Sequence, residues 1–288
     1  MNAVQLTEIK KPATFTVVPD PVATPGQAVV RLRAAALNHR DLFIQQGLYP
    51  GIKLPARPGS DGAGVVESVG ISADEAWIGR EVIINPALDW GDDPRAQGPK
   101  FRILGLPDPG TLAEKIAIPV AQLAAKPAHL TWEQAAALPL AGLTAWRALF
   151  TRAKLVAGEK VLVTGAGGGA ALYALQFAVA AGAQVWVTSS SPDKIARAQT
   201  LGATGGINYR DTDWGKALQA AAGLFDVIVD SAGGDGFASL IELTRPGGRI
   251  VFFGATTGNP KALDLRKSFF RQINLLGTTM GSPAISRG

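Results

Sequence analysis

The pattern of hydrophobic and polar positions divides the chain near residue 127. Before that point, short runs predict strands, and residues 27–35 alternate apolar and polar positions in part, as a half-buried strand does. Residues 59–70 combine glycines with a Val-Val-x-x-Val run, which is typical of a bent strand in a small, curved barrel. Residues 38–46 predict one short helix that begins after Asn38. The first part is therefore predicted to be rich in strands.

After residue 127, predicted strands alternate with predicted helices. Thr131 and Gln134 form a helix-start signal ahead of an alanine-rich run. The predicted strands are 161–164, 184–188, 226–230, 249–253 and 275–279. The predicted helices are 131–147, 170–181, 192–201, 213–222 and 236–244. Such alternation predicts an α/β fold with a parallel sheet covered by helices on both faces.

One stretch, KVLVTGAGGGAA at residues 160–171, carries the clearest functional signal. It reads as a short buried strand, a glycine-rich turn and the start of a helix. Its spacing fits the G-x-G-x-x-G/A fingerprint through Gly165, Gly167, Gly168, Gly169 and Ala170. Glycines let the backbone approach a pyrophosphate, and the helix start offers N–H groups and a positive dipole end. The alternative is a tight strand-to-helix turn that binds no ligand.

The residues after the second predicted strand bear on the choice of cofactor. A site specific for NAD places Asp or Glu about 20 residues beyond the first glycine, but no acid occurs at residues 184–192. Hydroxyl and cationic side chains occur there instead: Ser189, Ser190, Ser191, Lys194 and Arg197. These groups suit a 2′-phosphate and favour NADPH over NADH. Alternatively, the serines cap the helix from residue 192 and the cations lie on a solvated face, and both interpretations can hold together.

Composition narrows the class of protein. The 288 residues are 47% hydrophobic and 18% charged, enough for a sizeable core and two ordinary domains. There is no cysteine and there are two histidines, so disulfides and thiolate metal sites are excluded. The net charge of +5 is mild and scattered, which is compatible with an anionic cofactor and gives no sign of nucleic-acid binding. No signal peptide or membrane-spanning run is apparent, so a cytoplasmic protein without a membrane partner is expected.

The glycine-rich stretch is one of four blocks that resemble a known family. Together with LNHRDLFIQQGLYPG, PGSDGAGVV and LPLAGLTAWRALF, it resembles the medium-chain dehydrogenase/reductase superfamily. The branch concerned holds zinc-free quinone oxidoreductases and proteins called zinc-type alcohol dehydrogenase-like. The resemblance implies a GroES-like, β-rich catalytic domain at residues 1–122 and a Rossmann NADP-binding domain at residues 123–282, with the active site in the cleft between them. It also implies a homodimer, and a truncated or atypical C-terminus at residues 283–288.

The sequence departs from the zinc enzymes of that superfamily. Those enzymes carry a cysteine where this chain has His39, and Gly-His-Glu where it has Gly59-Ser60-Asp61. Residues 86–109, which correspond to their structural-zinc lobe, contain no cysteine. No metal is therefore expected. His39 with Asp41 and Asp61 is the alternative ligand set, although one imidazole and hard carboxylates suit zinc poorly.

Without a metal, the resemblance points to Asn38 and Tyr49 as catalytic residues. In zinc-free relatives the matching residues line the nicotinamide and substrate cleft. In enoyl-thioester reductases the tyrosine of a similar block serves as proton donor, and a phenol can assist a carbonyl oxygen as charge develops. Alternatively, Tyr49 packs beside Pro50 and Asn38 only caps a helix.

The resemblance implies further cofactor contacts. Thr144 matches a position near the nicotinamide, and Tyr209 matches a residue near the adenosine 2′-phosphate of NADPH. Gly254 and Ala255 follow a strand whose carboxyl end should face the cofactor.

The expected function is therefore that of an NADPH-dependent oxidoreductase acting on a small molecule. It would transfer a hydride to a quinone or an activated alkene (an enone) without a metal. The alternative is an NADPH-binding protein with little or no catalytic activity.

Overall fold

Strands dominate the first 125 residues of the computed structural model, which describes residues 1–282. The strands are β1 (Asn2–Gln5), β2 (Thr14–Val17), β3 (Gln27–Ala36), β4 (Asp61–Val69), β5 (Glu81–Ile84), β6 (Ala87–Leu88), β7 (Arg102–Ile103), β8 (Lys115–Pro119) and β9 (Leu123–Ala125). This region also contains helix α1 (His39–Gln45) and 3₁₀ turns at Ser72–Trp77 and Val120–Gln122, and it is followed by helices α2 (Trp132–Ala137) and α3 (Pro139–Trp146). The C-terminal segment expected to be atypical, 283–288, lies outside the described residues.

Two compact units account for the described residues. The first comprises Met1–Leu143 with residues 280–282, and the second comprises Thr144–Thr279. The first unit thus extends beyond residue 122, because α2 buries Ala135 and Ala136 in one cluster with Ala63 of β4.

The first unit is built on an antiparallel sheet of five strands in the order β8-β3-β4-β5-β9. Two irregularities interrupt the pairing of β3 with β4, as expected for a curved sheet. Gly64 pairs with Leu32 beside the second irregularity. A Cβ on Gly64 would stand 2.2 Å from the backbone oxygen of Arg31. The glycine-rich strand predicted at residues 59–70 is therefore confirmed, and glycine is required by the close approach of the two backbones.

The single helix predicted at residues 131–147 is wrong in part. Thr131 and Gln134 do form the predicted capping box at the start of α2. The helix then breaks at Leu138, and Pro139 begins α3, which a π-helical turn at Arg147–Arg152 follows. Proline fits the first position of a helix but cannot donate the hydrogen bond that an uninterrupted helix needs.

The second unit alternates strands and helices as predicted. Its strands are β10 (Lys160–Val163), β11 (Gln184–Ser189), β12 (Gly205–Asn208), β13 (Phe225–Asp230), β14 (Thr244–Phe252) and β15 (Asn274–Gly277). Its helices are α4 (Gly169–Ala180), α5 (Pro192–Thr200), α6 (Trp214–Ala222), α7 (Phe237–Leu243) and α8 (Leu265–Phe270). The strands are parallel in the order β12-β11-β10-β13-β14-β15. This order is that of a doubly wound nucleotide-binding sheet.

Both faces of the parallel sheet are buried. Val161 and Val163 of β10 pack in a cluster with the alanines of α4, whereas Leu162 packs in a second cluster with α6 and α7. Successive side chains of a strand point to opposite faces. The continuous apolar runs of the sequence follow from this two-sided burial. No helix among residues 1–282 is long and apolar enough to cross a membrane.

Candidate cofactor and catalytic sites

The glycine turn, residues 165–170, begins where β10 ends. Gly165 has φ +68° and Gly167 has φ +118°, values that glycine adopts without a steric cost. Gly168 is the N-cap of α4, and its N–H donates to the Gly165 oxygen at 3.2 Å. Residues 167–169 are exposed. The first N–H groups of a helix lack intrahelical partners, so this turn can receive a pyrophosphate.

Hydrogen bonds from the neighbouring strand hold the glycine turn in place. The Ala166 N–H donates to the Thr188 oxygen at 2.8 Å, and the Gly165 N–H donates to Thr188 Oγ1 at 3.3 Å. The hydroxyl of Ser189, which is only 3% exposed, donates to the Ala166 oxygen at 3.1 Å. Ser189 therefore stabilises the turn through this hydrogen bond. Its contact with a ligand stays a prediction.

Lys194 lies over the glycine turn. A Cβ built on Gly167 would stand 2.6 Å from Lys194 Cδ and 3.3 Å from its Nζ. The ammonium group thus lies beside the exposed glycines, where it can meet an anion. Ser191 caps α5, since its hydroxyl accepts the Lys194 N–H at 3.4 Å. The capping interpretation therefore holds for Ser191, whereas Ser190 is half-buried and Lys194 is exposed.

Tyr209 follows β12 at the same edge of the sheet. Ser189 pairs with Asn208 in the parallel register, and the Tyr209 N–H donates to the Ser189 oxygen at 3.1 Å. Ser190 and Tyr209 are therefore the residues that follow two adjacent strand ends. The Tyr209 side chain is 44% exposed, and the next residue, Arg210, adds an exposed cation. This placement is compatible with the predicted 2′-phosphate contact.

The ends of β13 and β14 continue this edge. A Cβ on Gly254 would stand 2.7 Å from the Ser231 oxygen, so glycine permits the close approach of the two loops. Ala255 beside it is exposed, whereas Thr144 in α3 is buried. Sequence reasoning missed Asp230, a buried acid that ends β13 and accepts the Thr164 hydroxyl at 2.6 Å and the Gly233 N–H at 2.9 Å. Its signal was an acid at the end of an apolar strand.

In the first unit, the predicted catalytic Asn38 belongs to the α1 polar cluster, which comprises Asn38, Arg40, Asp41, Ser60 and Asp61. Asn38 is the N-cap of α1, and its N–H donates to Asp41 Oδ2 at 2.8 Å. Its side-chain Nδ2 donates to Asp61 Oδ2 at 2.8 Å. Asn38 therefore occupies the N-cap position of α1, while its side-chain amide is oriented by the carboxyl group of Asp61.

Asp61 is a buried carboxyl group of this cluster whose pKa is raised. It is 1% exposed, and Oδ1 accepts the Leu140 N–H at 2.9 Å. Burial raises its pKa from 3.8 to about 7, against the lowering effect of the hydrogen bonds from Asn38 and Leu140. The negative charge of Asp41 raises the pKa further, and the positive charge of Arg40 lowers it.

The predicted catalytic Tyr49 contacts the same cluster through Arg40. Its ring packs against a small apolar core of Leu6, Ile44, Ala56 and Leu106. The Arg40 guanidinium lies 4.8 Å from the ring centroid, and its Nε is 3.5 Å from the Tyr49 hydroxyl oxygen. Tyr49 is therefore partly packed, as the alternative interpretation expected, but its polar end stands beside a buried cation.

The alternative metal ligands do not form a ligand set. His39 is exposed and its ring contacts Phe43 edge-on at 5.1 Å between centroids. The two oxygens of Asp41 accept the N–H groups of Asn38 and Gly59. Among residues 1–282, no group of three or more histidine, cysteine, aspartate or glutamate side chains is arranged to hold a metal ion.

Known proteins resemble this chain over most of its length. Residues 24–128 match the alcohol dehydrogenase GroES-like domain, and residues 169–287 match the zinc-binding dehydrogenase family. The zinc-type alcohol dehydrogenase-like protein YogA of Leptosphaeria maculans is 37% identical over 96% of this chain and 82% of its own length. The crotonyl-CoA carboxylase/reductase of Cereibacter sphaeroides is 31% identical over 91% of this chain and 70% of its own. A quinone oxidoreductase of Pseudomonas aeruginosa is 33% identical over 84% of this chain and 69% of its own length.

A solved structure described as an NAD-dependent alcohol dehydrogenase matches the whole fold. It is 38% identical, with a TM-score of 0.91, over 99% of this chain and 86% of its own. These matches agree with the two kinds of sheet and with the glycine turn at the first strand-to-helix connection of the second unit. The chain is a member of the medium-chain dehydrogenase/reductase superfamily, whose members are oxidoreductases that bind a nicotinamide cofactor.

Proposed function

We propose that this protein uses NADPH to reduce a quinone or an activated alkene, such as an enone, without a metal ion. The observation that carries the proposal is the placement of Lys194 over Gly167 where no acid occurs at residues 184–192. An ammonium group beside the turn favours a cofactor with an additional phosphate. An acid that would bind a free ribose hydroxyl is missing from this stretch.

The choice of substrate follows from the groups that can assist the reaction. When bound, the reduced nicotinamide supplies a hydride. An enone then needs a proton donor for the charge that develops on its oxygen and α-carbon, and the Tyr49 phenol is the group we propose for this role. The relatives named for crotonyl-CoA and quinone reduction support these two substrate classes.

Independence from zinc is supported by the side chains that stand where zinc ligands would be needed. The chain has no cysteine, and the histidine at the first candidate position is exposed on α1. The carboxylates of Asp41 and Asp61 are committed to N–H donors. We also propose a homodimer, as the family resemblance implies, and a cytoplasmic location.

Cofactor affinity tests the proposal directly. NADPH is expected to bind more tightly than NADH, and Lys194→Ala should weaken NADPH by about 1–3 kcal/mol, because a charge-assisted contact is lost. Its effect on NADH should be small. Arg245→Ala is the matched control, since it removes an exposed cation that pairs with Asp226 at the end of the sheet opposite the glycine turn. Calorimetric titration of the three proteins with both cofactors gives the comparison.

Two outcomes would change the conclusion. Equal affinity of the parent for NADPH and NADH would contradict the choice of cofactor. Tight NADPH binding without turnover of any quinone or enone would instead select the NADPH-binding protein with little or no catalysis.

A further inference from the structure

Arg40 is a buried arginine whose guanidinium contacts both the ring and the hydroxyl of Tyr49. It lies in the first turn of α1 and is 8% exposed. Its Nη1 donates to Ser60 Oγ at 2.6 Å and to the Leu104 oxygen at 2.8 Å. These two bonds fix the plane of the guanidinium. A second guanidinium nitrogen, Nε, approaches the Tyr49 hydroxyl oxygen, and the guanidinium lies over the phenol ring.

The positive charge of Arg40 is not neutralised by a direct ion pair. No carboxylate oxygen within the described part of the chain lies within 4.0 Å of its nitrogens, although its charge reaches the more distant Asp61. Both partners of Nη1 are neutral oxygens, and Nη2 has no hydrogen-bond partner among residues 1–282. Burial of a charge without a counter-ion costs folding free energy. A functional role of Arg40 in its contact with the Tyr49 phenol would account for this cost.

We propose that Arg40 is a positioning residue that prepares Tyr49 to donate a proton. The inference rests on the proposed function, since it assumes that Tyr49 acts as the acid. The Nε–H donates to the phenol oxygen and thereby occupies one of its acceptor positions. The phenol O–H is then left to donate elsewhere, and stacking of the guanidinium over the ring limits rotation of the side chain.

The proposed step adds one hydride and one proton to the enone. When bound, the reduced nicotinamide would supply the hydride, with its two electrons, to the β-carbon, and the α-carbon would take the proton. The Tyr49 O–H bond breaks as that proton leaves, so a phenolate forms beside the guanidinium and later recovers a proton from water. The negative charge of the phenolate exists only after the proton begins to move. A fixed cation that stabilises this charge therefore acts on the transition state more than on the bound substrate.

Arginine is suited to this role in a way that lysine is not. Its planar fork can anchor through Nη1 and still present Nε to the phenol, whereas an ammonium group is a point charge without a stacking face. Arg40→Lys should therefore keep the charge and lose the alignment. Arg40→Gln removes the charge as well, and a graded series of effects on turnover is expected from the two variants.

A double-mutant cycle tests the proposal through kcat for an enone at saturating NADPH. Arg40→Gln should lower kcat by about 10- to 100-fold, less than the loss of the general acid itself would, while the KM for NADPH changes less than about twofold. In a Tyr49→Phe background the same substitution should lower kcat by less than about twofold, because the group it serves is absent. Arg40→Lys should restore part of the loss only when Tyr49 is present.

A control separates this role from simple structural support. Arg31→Gln removes an arginine of β3 that pairs with Glu67 at the surface of the five-stranded sheet. This change should leave kcat within about twofold of the parent. Thermal unfolding of each variant reports whether the fold survives. If Arg40→Gln fails to fold, the comparison is made with Arg40→Lys in the two backgrounds.

The outcomes separate the role of Arg40 from that of Tyr49. An equal loss from the Arg40 substitution in the parent and in the Tyr49→Phe variant would overturn the positioning role while leaving the proposed function intact. If Tyr49→Phe alone matches the parent on the enone, the tyrosine is not the acid, and the role of Arg40 falls with it.

Discussion

The glycine turn and the α1 polar cluster are two sites of opposite construction. The glycine turn is made of consecutive residues whose backbone N–H groups we propose as the cofactor-binding groups, and it is held by hydrogen bonds with the adjacent strand. The α1 polar cluster is made of side chains that are far apart in sequence, since Asn38 and Leu140 both donate to Asp61. The candidate cofactor site therefore depends on local backbone shape, whereas the candidate catalytic residues depend on long-range polar contacts.

The largest effect on turnover is expected from removing the hydroxyl of Tyr49, the proposed proton donor. Tyr49→Phe should lower kcat for an enone by about 10²–10⁴-fold and leave NADPH affinity nearly intact, because the phenol acts on charge that develops in the transition state. A quinone should be affected less, since its ring stabilises the product anion. Steady-state kinetics on one enone and one quinone give the comparison. Equal rates for the two proteins on both substrates would make Tyr49 a packing residue.

The next effect concerns the long-range contacts of Asp61. Asp61→Asn offers one acceptor oxygen to two N–H donors, those of Asn38 and Leu140. One donor then stays buried and unpaired, which should cost about 1–3 kcal/mol of the free energy of unfolding near pH 5. Urea denaturation measures this cost. A variant as stable as the parent at pH 5 would show that the two bonds contribute little.

The same residue makes stability depend on pH in a direction that is unusual for an aspartate. Its pKa is about 7 in the folded protein, against an ordinary value of 3.8. The folded state therefore holds the proton more tightly, and this contribution is complete below pH 3.8 and is lost as pH rises towards 7. The free energy of unfolding of the parent minus that of Asp61→Asn should fall by up to about 1.4 kcal/mol per pH unit in that window. A difference that rises with pH would contradict the burial effect.

A smaller effect is expected at the glycine turn. Gly167→Ala should destabilise the fold by about 1–3 kcal/mol, because φ +118° is strained for a residue with a Cβ. It should also weaken NADPH, since the Cβ meets the Lys194 side chain and the approach to the pyrophosphate. Gly247→Ala is the matched control, with φ +77° and open space around it. NADPH affinity should fall only in Gly167→Ala, and a comparable fall in both variants would mean that backbone strain alone is responsible.

The sequence predicted these two sites unequally for a physical reason. The strand, glycine turn and helix at residues 160–180 follow from local apolar runs and glycines, and the parallel sheet confirms them. The break at Pro139 was missed because the capping signal at Thr131 and the alanine-rich run masked it. Strand β12 was missed because glycines weaken a strand signal, whereas here a Cβ on Gly205 would collide with the Trp186 ring.

The contacts of the α1 polar cluster were beyond the reach of local patterns. The block NHRD was noted for Asn38 and His39, but nothing in the spacing indicates that Arg40 would be buried against Tyr49 or that Asp61 would receive the Leu140 N–H. Such contacts depend on how β4, α1 and the start of α3 pack in three dimensions. Arg40 is thus a functional candidate that only the folded structure reveals, whereas Asp230 could have been found from its place at the end of an apolar strand.

The most direct test of the central claim follows the hydride itself. Metal-depleted protein, verified by elemental analysis, is supplied with NADPH deuterated at the reactive nicotinamide carbon and with an enone. We expect a saturated ketone that carries one deuterium at its β-carbon, formed at an undiminished rate after chelation and more slowly with NADH. Turnover that appears only when zinc is restored, or NADPH binding with no labelled product, would contradict it.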